Sequence, residues 1–171
     1  MSACVIPDHS NFMIDMNGQI WDIEKQKLVR QKIVVMRPHD SVTPAKYWYV
    51  RLGQWKGSVH RLVAQVFVHQ PPHLNEVDHI DQNTLNNRYD NLRWCSHSNN
   101  LGNSTGWKQG RRYLLPKNVY RNGNKYQVKI KQHYVSKCWQ FDTLEEAHAF
   151  AKLKRREIFG DFASDGLQIV L

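Results

Sequence analysis

The chain has 171 residues, of which 41% are hydrophobic and 11% aromatic, a composition that can build packed cores and argues against wholesale disorder. It has no run of 18 apolar residues and no basic start followed by an apolar segment, so we expect neither a membrane-spanning helix nor a signal peptide. Three unclustered cysteines argue against a disulfide framework or a cysteine-rich zinc site and fit a reducing, intracellular setting, and the net charge is +9.

The first 58 residues predict short strands joined by turns. Asn17-Gly18 stands between two apolar runs, which is a hairpin signal. Side chains at 47–52 alternate as in a half-buried strand. The period then changes to a helical one at 58–68, and Pro71-Pro72 ends that helix.

Residues 73–106 are polar, with eight asparagines between Asn75 and Asn103, and predict a loop-rich segment because asparagine favours turns. We expect an N-terminal module at 1–106, a basic linker at 107–116 and a C-terminal domain at 117–171. Three strands are expected in the C-terminal domain. A capping box at 143–146 then opens a helix that runs to Phe159 and stops at Gly160.

Positive charge is concentrated toward the C-terminal end. From Asn91 to Phe141 the chain has ten Lys and Arg and no acidic residue. Such a surface attracts DNA or RNA, or it is a solvated basic face without a partner. Charge alone leaves both interpretations open, and the interleaved aromatic residues together with the motifs below favour nucleic acid.

The strongest chemical signal lies at residues 76–100. A carboxylate and an imidazole are adjacent at Asp78-His79, an Asn-Leu-Arg-Trp group follows at 91–94, and a further amide stands at Asn100. Cutting a phosphodiester needs a water nucleophile, a base that works near neutral pH and positive charge on the developing phosphorane. A Mg²⁺-type ion held by hard oxygen ligands can supply that charge.

These residues, together with VHRLVA at 59–64, resemble the HNH nuclease family in its subgroup of phage intron-encoded homing endonucleases, over a core at 58–103. The resemblance implies a ββα-metal module in which His79 is the general base and Asp78 and Asn100 bind one divalent metal, Mg²⁺ being the first choice. It also implies that Asn91 ties the loop and orients His79 through its side-chain amide. Asn100 replaces the last His of the family name, an exchange common in the subgroup.

Each residue of this segment also has a plainer interpretation. Asp78 could cap a turn, His79 could be a satisfied surface histidine and Asn91 could be a turn residue. The combined spacing favours catalysis over these readings. In the preceding helix, Arg61 is a predicted DNA contact, whereas packing or capping is the better explanation for His60.

Two further positions stay open. Arg93 could touch a phosphate or simply cover Trp94, and we predict it as a DNA contact. His97 shares a helical face with Asn100 and could be a third metal ligand, although a solvent-exposed histidine is the simpler interpretation.

Alternation along 126–131 predicts a strand with two unlike faces. Tyr126, Val128 and Ile130 can pack on the helix, and the opposite face is polar and basic. With no acidic residue nearby, that face favours nucleic-acid binding over simple solvation, its Lys and Arg contacting phosphate. The predicted contacts in this domain are one aromatic and five cationic residues: Tyr120, Arg121, Lys125, Lys129, Lys131 and Lys137.

The same domain resembles the plant APETALA/ethylene-response DNA-binding domain through VYRNGNKY at 119–126, FDT at 141–143, EEA at 145–147 and FGDFA at 159–163. The resemblance implies a three-stranded antiparallel sheet packed on one helix, with the other sheet face in the major groove. Trp139 stands where that family usually has Gly, so we expect the third strand to be shaped differently.

The sequence therefore predicts an α+β protein that joins a ββα-metal nuclease module to a small three-stranded antiparallel sheet packed on one helix. The predicted function is site-specific cutting of double-stranded DNA by a monomer, as a phage-encoded homing endonuclease in the cytoplasm of a bacterial host. The rivals are an HNH restriction or repair nuclease, a non-catalytic DNA-binding regulator, and an RNA-binding protein. The last of these lacks the paired aromatic motifs of single-strand readers.

Overall fold

The computed structural model describes residues 3–36, 44–103, 115–132 and 135–164. The chain divides into two compact units, Met1–Ser96 and His97–Leu171. Both contain small antiparallel sheets and few helices, which confirms the predicted α+β class. Within these ranges no helix is long and apolar enough to cross a membrane.

The first unit begins with a four-stranded antiparallel sheet in sequential order. Its strands are β1 (Ala3–Ile6), β2 (His9–Asp15), β3 (Ile20–Asp22) and β4 (Lys27–Leu28). The predicted hairpin at Asn17-Gly18 joins β2 to β3. Gly18 has a φ of 84°, and a Cβ there would lie 2.8 Å from Val59, so both the turn and the packing require glycine.

A second sheet and the first helix complete the core of this unit. The strands are β5 (Gln31–Met36), β6 (Ala45–Leu52) and β7 (Trp55–Ser58), and α1 spans Val59–Phe67, as the helical period at 58–68 predicts. The apolar side of α1 packs with the buried residues of both sheets. Burying these side chains is the main stabilising contribution to the unit.

A short antiparallel hairpin carries the chemical residues. Its strands are β8 (Glu76–His79) and β9 (Leu92–Cys95), with a single 3-10 turn at Tyr89–Asn91 before β9. Val77 and Leu92 from the hairpin join the core beside α1. In chain order β8, β9 and the next helix, α2 (His97–Asn103), make the predicted ββα sequence of elements.

The second unit contains α2, a three-stranded antiparallel sheet and a long helix, the predicted C-terminal architecture. The strands are β10 (Val119–Asn122), β11 (Lys125–Gln132) and β12 (Val135–Phe141), followed by α3 (Leu144–Phe159) and a 3-10 turn at Gly160–Phe162. Thr143 accepts a hydrogen bond from the backbone N–H of Glu146, which confirms the N-terminal cap.

The sequence predicts an unusual shape of the third strand at Trp139 and a basic linker at 107–116 before the C-terminal domain. Trp139 lies in a regular strand opposite Val128, and its ring packs 5.1 Å from that of Phe150, so the strand accepts the large side chain by turning it toward α3. The predicted domain boundary at 107–116 stays a prediction. The two compact units divide after Ser96, so α2 belongs to the second unit, where it packs with α3. Residues 107–114 of the predicted linker lie outside the described residues.

Candidate active site and basic surface

Asp78 and His79 are placed by the register of the β8–β9 hairpin. His79 pairs with Leu92, and Asp78 pairs with Arg93. Adjacent residues of a strand point to opposite sides, so His79 faces the core side of the hairpin and Asp78 the other. Both are buried, with 5% and 6% of their surface exposed.

The imidazole of His79 is held by Asn87. Nε2 of His79 lies 3.3 Å from Oδ1 of Asn87, and both residues are buried. An amide oxygen only accepts hydrogen bonds, so the contact is a hydrogen bond in the tautomer that carries its proton on Nε2, and in that tautomer Nδ1 is the basic nitrogen. Sequence reasoning passed over Asn87, because nothing in a run of asparagines distinguishes it.

Asn91 ties the loop between β8 and β9. Its Nδ2 donates to Oδ1 of Asp81 and to the carbonyl of Asn86, both at 2.9 Å, and its Oδ1 accepts from the backbone N–H of Asp81. These bonds close the loop between the two strands and do not engage the imidazole. The predicted tie across the loop is thus present, and orientation of His79 by Asn91 stays a prediction.

Two aromatic rings pack around the His79 side chain. The centroid of the His60 ring, from α1, lies 5.0 Å from that of His79, and the Tyr47 ring, from β6, lies 6.3 Å away. Burial, followed by the nearby His79 and Arg61, lowers the pKa of His60 to about 3, and burial lowers the pKa of His79 as well. Both rings are therefore neutral near neutral pH, and a general base must be neutral to accept a proton.

Asp78 is paired with Arg93. The Nε and Nη2 atoms of Arg93 both lie 2.9 Å from Oδ2 of Asp78, and both side chains are largely buried. The guanidinium thus balances the carboxylate, a role that neither interpretation of Arg93 from the sequence included. Contact of Arg93 with a phosphate, which stays a prediction, would compete with this pair.

The two predicted metal ligands are hard oxygen donors, the kind that a divalent cation such as Mg²⁺ prefers. Asp78 offers a carboxylate, and Asn100 offers an amide from α2, where it is half-buried and three residues from the exposed His97. The described residues contain no cluster of three or more His, Cys, Asp or Glu that could hold a metal by itself. This set suits Mg²⁺, which keeps several waters and needs one or two protein oxygens, better than zinc.

The open face of the C-terminal sheet carries the second predicted group. Pairing of Tyr120 with Gln127 and of Asn122 with Lys125 places these residues on one side of the sheet, and Lys129 and Lys131 follow at alternate positions. The three lysines are exposed, and Lys125 also pairs with Asp142 at 3.0 Å. That ion pair is highly exposed and contributes little.

Arg121 and Lys137 do not share this face. Arg121 pairs with Tyr126, and Lys137 pairs with Ile130, whose side chain packs in the core under α3. The register across the two hairpins places them on the helix side of the sheet, away from the face that carries the three lysines. Both are exposed, and their contact with DNA stays a prediction. Arg61, on α1, is also exposed and donates to the carbonyl of Asn75 at 3.3 Å.

Comparison with known proteins points to one family. Residues 58–101 match the family model described as HNH endonuclease. An uncharacterised HNH endonuclease of Acanthamoeba polyphaga mimivirus is 28% identical over 100 residues, covering 56% of this chain and 28% of the relative, so the chain spans less than a third of that protein. A solved structure of the HNH homing endonuclease I-HmuI aligns over 92% of this chain and 87% of that one, at 21% identity and a TM-score of 0.48. That structure describes DNA binding and cleavage by I-HmuI.

The matched segment contains α1, the β8–β9 hairpin and most of α2, and with them His60, Asp78, His79 and Asn100. Residues 58–101, about a quarter of the chain, are thus similar to the HNH endonuclease family model.

Proposed function

We propose that the chain is a site-specific DNA endonuclease that hydrolyses a phosphodiester with one divalent metal and with His79 as the general base. The observation that carries the proposal is the buried, neutral imidazole of His79, which follows Asp78 in the chain, inside the segment that matches the HNH endonuclease family model. A histidine that is neutral near neutral pH can accept the proton of an attacking water, as general-base hydrolysis of a phosphodiester requires.

In this proposal His79 takes the proton of the attacking water on Nδ1. Asn87 holds the opposite ring nitrogen, and the rings of His60 and Tyr47 restrict rotation of the imidazole. Asp78 and Asn100 would hold the metal. When bound, the metal would stabilise negative charge on the phosphate and the leaving oxygen.

A supercoiled plasmid carrying a target site tests the chemistry. We expect relaxed or linear product with Mg²⁺ and none with a chelator, and loss of product for His79→Ala. His69→Ala is the matched control, because His69 is exposed and has no assigned role. Wild-type cutting by His79→Ala would refute the mechanism, and DNA binding without any cutting would favour a regulator instead.

The form of the product bears on assembly. One active site per chain makes nicking by a monomer the simpler case, so relaxed circles are expected before linear DNA. Sequencing of the cleaved ends would give the target site. A target at an intron insertion point would support homing, whereas many short recognition sites would favour a restriction nuclease.

We further propose that the open face of β10–β12 supplies DNA affinity, in the manner of the APETALA-like domain. Its lysines at 125, 129 and 131 project from one face and would neutralise phosphates. Lys129→Ala should weaken duplex binding and reduce the slope of log affinity against log salt by about one. Lys152→Ala, on the exposed side of α3, is the control. Equal effects of the two variants would contradict the assignment of this face, and tighter binding to RNA than to duplex DNA would contradict the substrate.

A further inference from the structure

The last turn of α2 is capped by residues that come much later in the chain. Nζ of Lys117 donates to the carbonyls of Gly102 at 2.7 Å and Leu101 at 3.4 Å, and the backbone N–H of Ser164 donates to Gly102 at 3.2 Å. The final carbonyls of a helix have no partners within it and form its negative end. An ammonium group at this position satisfies both the hydrogen bonds and the charge.

Gly102 allows α2 to approach α3 closely. A Cβ at this position would lie 2.8 Å from Cγ and 2.9 Å from Cδ1 of Phe159, the last residue of α3. Real side chains almost never come so near. The helix is therefore seated against the Phe159 ring with no space for even one added methyl group.

Lys117 is itself fixed from two sides. Its Nζ also lies 3.2 Å from Oγ of Ser164, and its carbonyl accepts from Nη1 of Arg155 at 3.0 Å. Arg155 is completely buried and donates through Nε to the carbonyl of Ser164 at 2.8 Å. Burial, and then the charge of Arg155, lower the pKa of Lys117 to about 8, so the ammonium is predominantly charged at neutral pH.

We infer that Lys117 is a positioning residue for Asn100. Asn100 lies two residues before Gly102, so the clamp formed by Lys117, Ser164 and Phe159 on the end of α2 fixes the helical turn that carries the amide. The inference rests on the proposed function, in which Asn100 supplies an oxygen to the divalent ion. Its consequence is that the C-terminal domain has a part in metal binding as well as in DNA affinity.

Mn²⁺ binding by the full chain on a target duplex tests this, with free Mn²⁺ followed by electron paramagnetic resonance. Lys117→Met should raise the Mn²⁺ dissociation constant about tenfold, as loss of a group that supports a metal ligand does. Lys117→Arg, which keeps a cation and hydrogen-bond donors, should recover part of the affinity. Lys152→Met, an exposed cation of α3, should change nothing.

Gly102→Ala provides a second variant, because it displaces α2 from Phe159 and leaves every charge in place. It should also weaken Mn²⁺ binding, and it decides the matter if Lys117→Met does not fold. If Lys117 only stabilises the fold, Lys117→Met and Gly102→Ala will lower the urea midpoint and leave the Mn²⁺ affinity of the folded protein unchanged. That result would overturn the inference.

Asp78→Ala and Asn100→Ala separate the two levels of the argument. If Mn²⁺ binding depends on both residues but not on Lys117 or Gly102, the inference alone is wrong. If binding is indifferent to Asp78 and Asn100, the proposed metal site is wrong and the inference fails with it.

Discussion

Acid should destabilise the first unit through His60, and the size of the effect can be worked out. The ring is 8% exposed, its Nδ1 has no hydrogen-bond partner among the described residues, and its pKa is lowered to about 3. An unfolded histidine has a pKa of about 6.5. Between these values the unfolded chain binds a proton at His60 and the native chain does not, so stability falls as the pH is lowered.

The expected loss follows from the linkage relation. Acidification from about pH 7 to about pH 5 should remove about 2 kcal/mol from the free energy of unfolding, with a ceiling of about 5 kcal/mol near pH 3. The burial of His79 adds a contribution of the same sign. Carboxylates titrate mainly below this interval, so histidines dominate it.

Urea unfolding at a series of pH values measures this loss. His60→Phe keeps a ring that can pack beside His79 and Tyr47 but removes the titration, so its loss between pH 7 and pH 5 should be smaller by about 2 kcal/mol. His69→Gln, at an exposed position, should behave as the wild type. Parallel pH profiles for the wild type and His60→Phe would refute the reasoning.

Three further changes test other contacts. Asn87→Leu removes the acceptor at Nε2 of His79 and should lower kcat by on the order of ten- to a hundredfold with DNA affinity unchanged. An unaltered kcat would exclude a role of this contact in catalysis. Arg93→Met leaves the buried carboxylate of Asp78 without its counter-ion and should lower the free energy of unfolding in urea by about 3 kcal/mol in the absence of metal. Mg²⁺ should restore part of this loss. An equal stabilisation of variant and wild type by Mg²⁺ would count against the ion pair. Thr143→Ala removes the cap of α3 and should cost about 1 kcal/mol, whereas a stability change near zero would show that the cap is dispensable.

Local patterns in the sequence predicted the elements well because those elements depend on near neighbours. The Asn17-Gly18 turn, the helical period after Ser58 and the capping box at Thr143 each act over a few residues, and the structure contains all three. The two faces of β11 follow from the same local alternation, with Val128 and Ile130 buried.

The contacts that were missed depend on register and on loop closure. Alternation within β11 does not fix the facing of Arg121 or Lys137, because that is decided by the pairing across two hairpins. The pairing of Arg93 with Asp78 likewise appears only when β8 and β9 are aligned. Asn87 reaches His79 through the fold of an irregular loop, whose conformation no periodic pattern encodes.

Because the guanidinium of Arg93 neutralises Asp78, the β8–β9 hairpin can fold without a bound metal ion. In small metal-dependent domains the ion neutralises buried ligands, and the apo chain stays unfolded. Here a side chain of the opposite strand already compensates the carboxylate. We therefore expect chelator-treated protein to keep its circular dichroism spectrum and to remain assembled on its duplex, so that adding a divalent salt can start a synchronous single turnover.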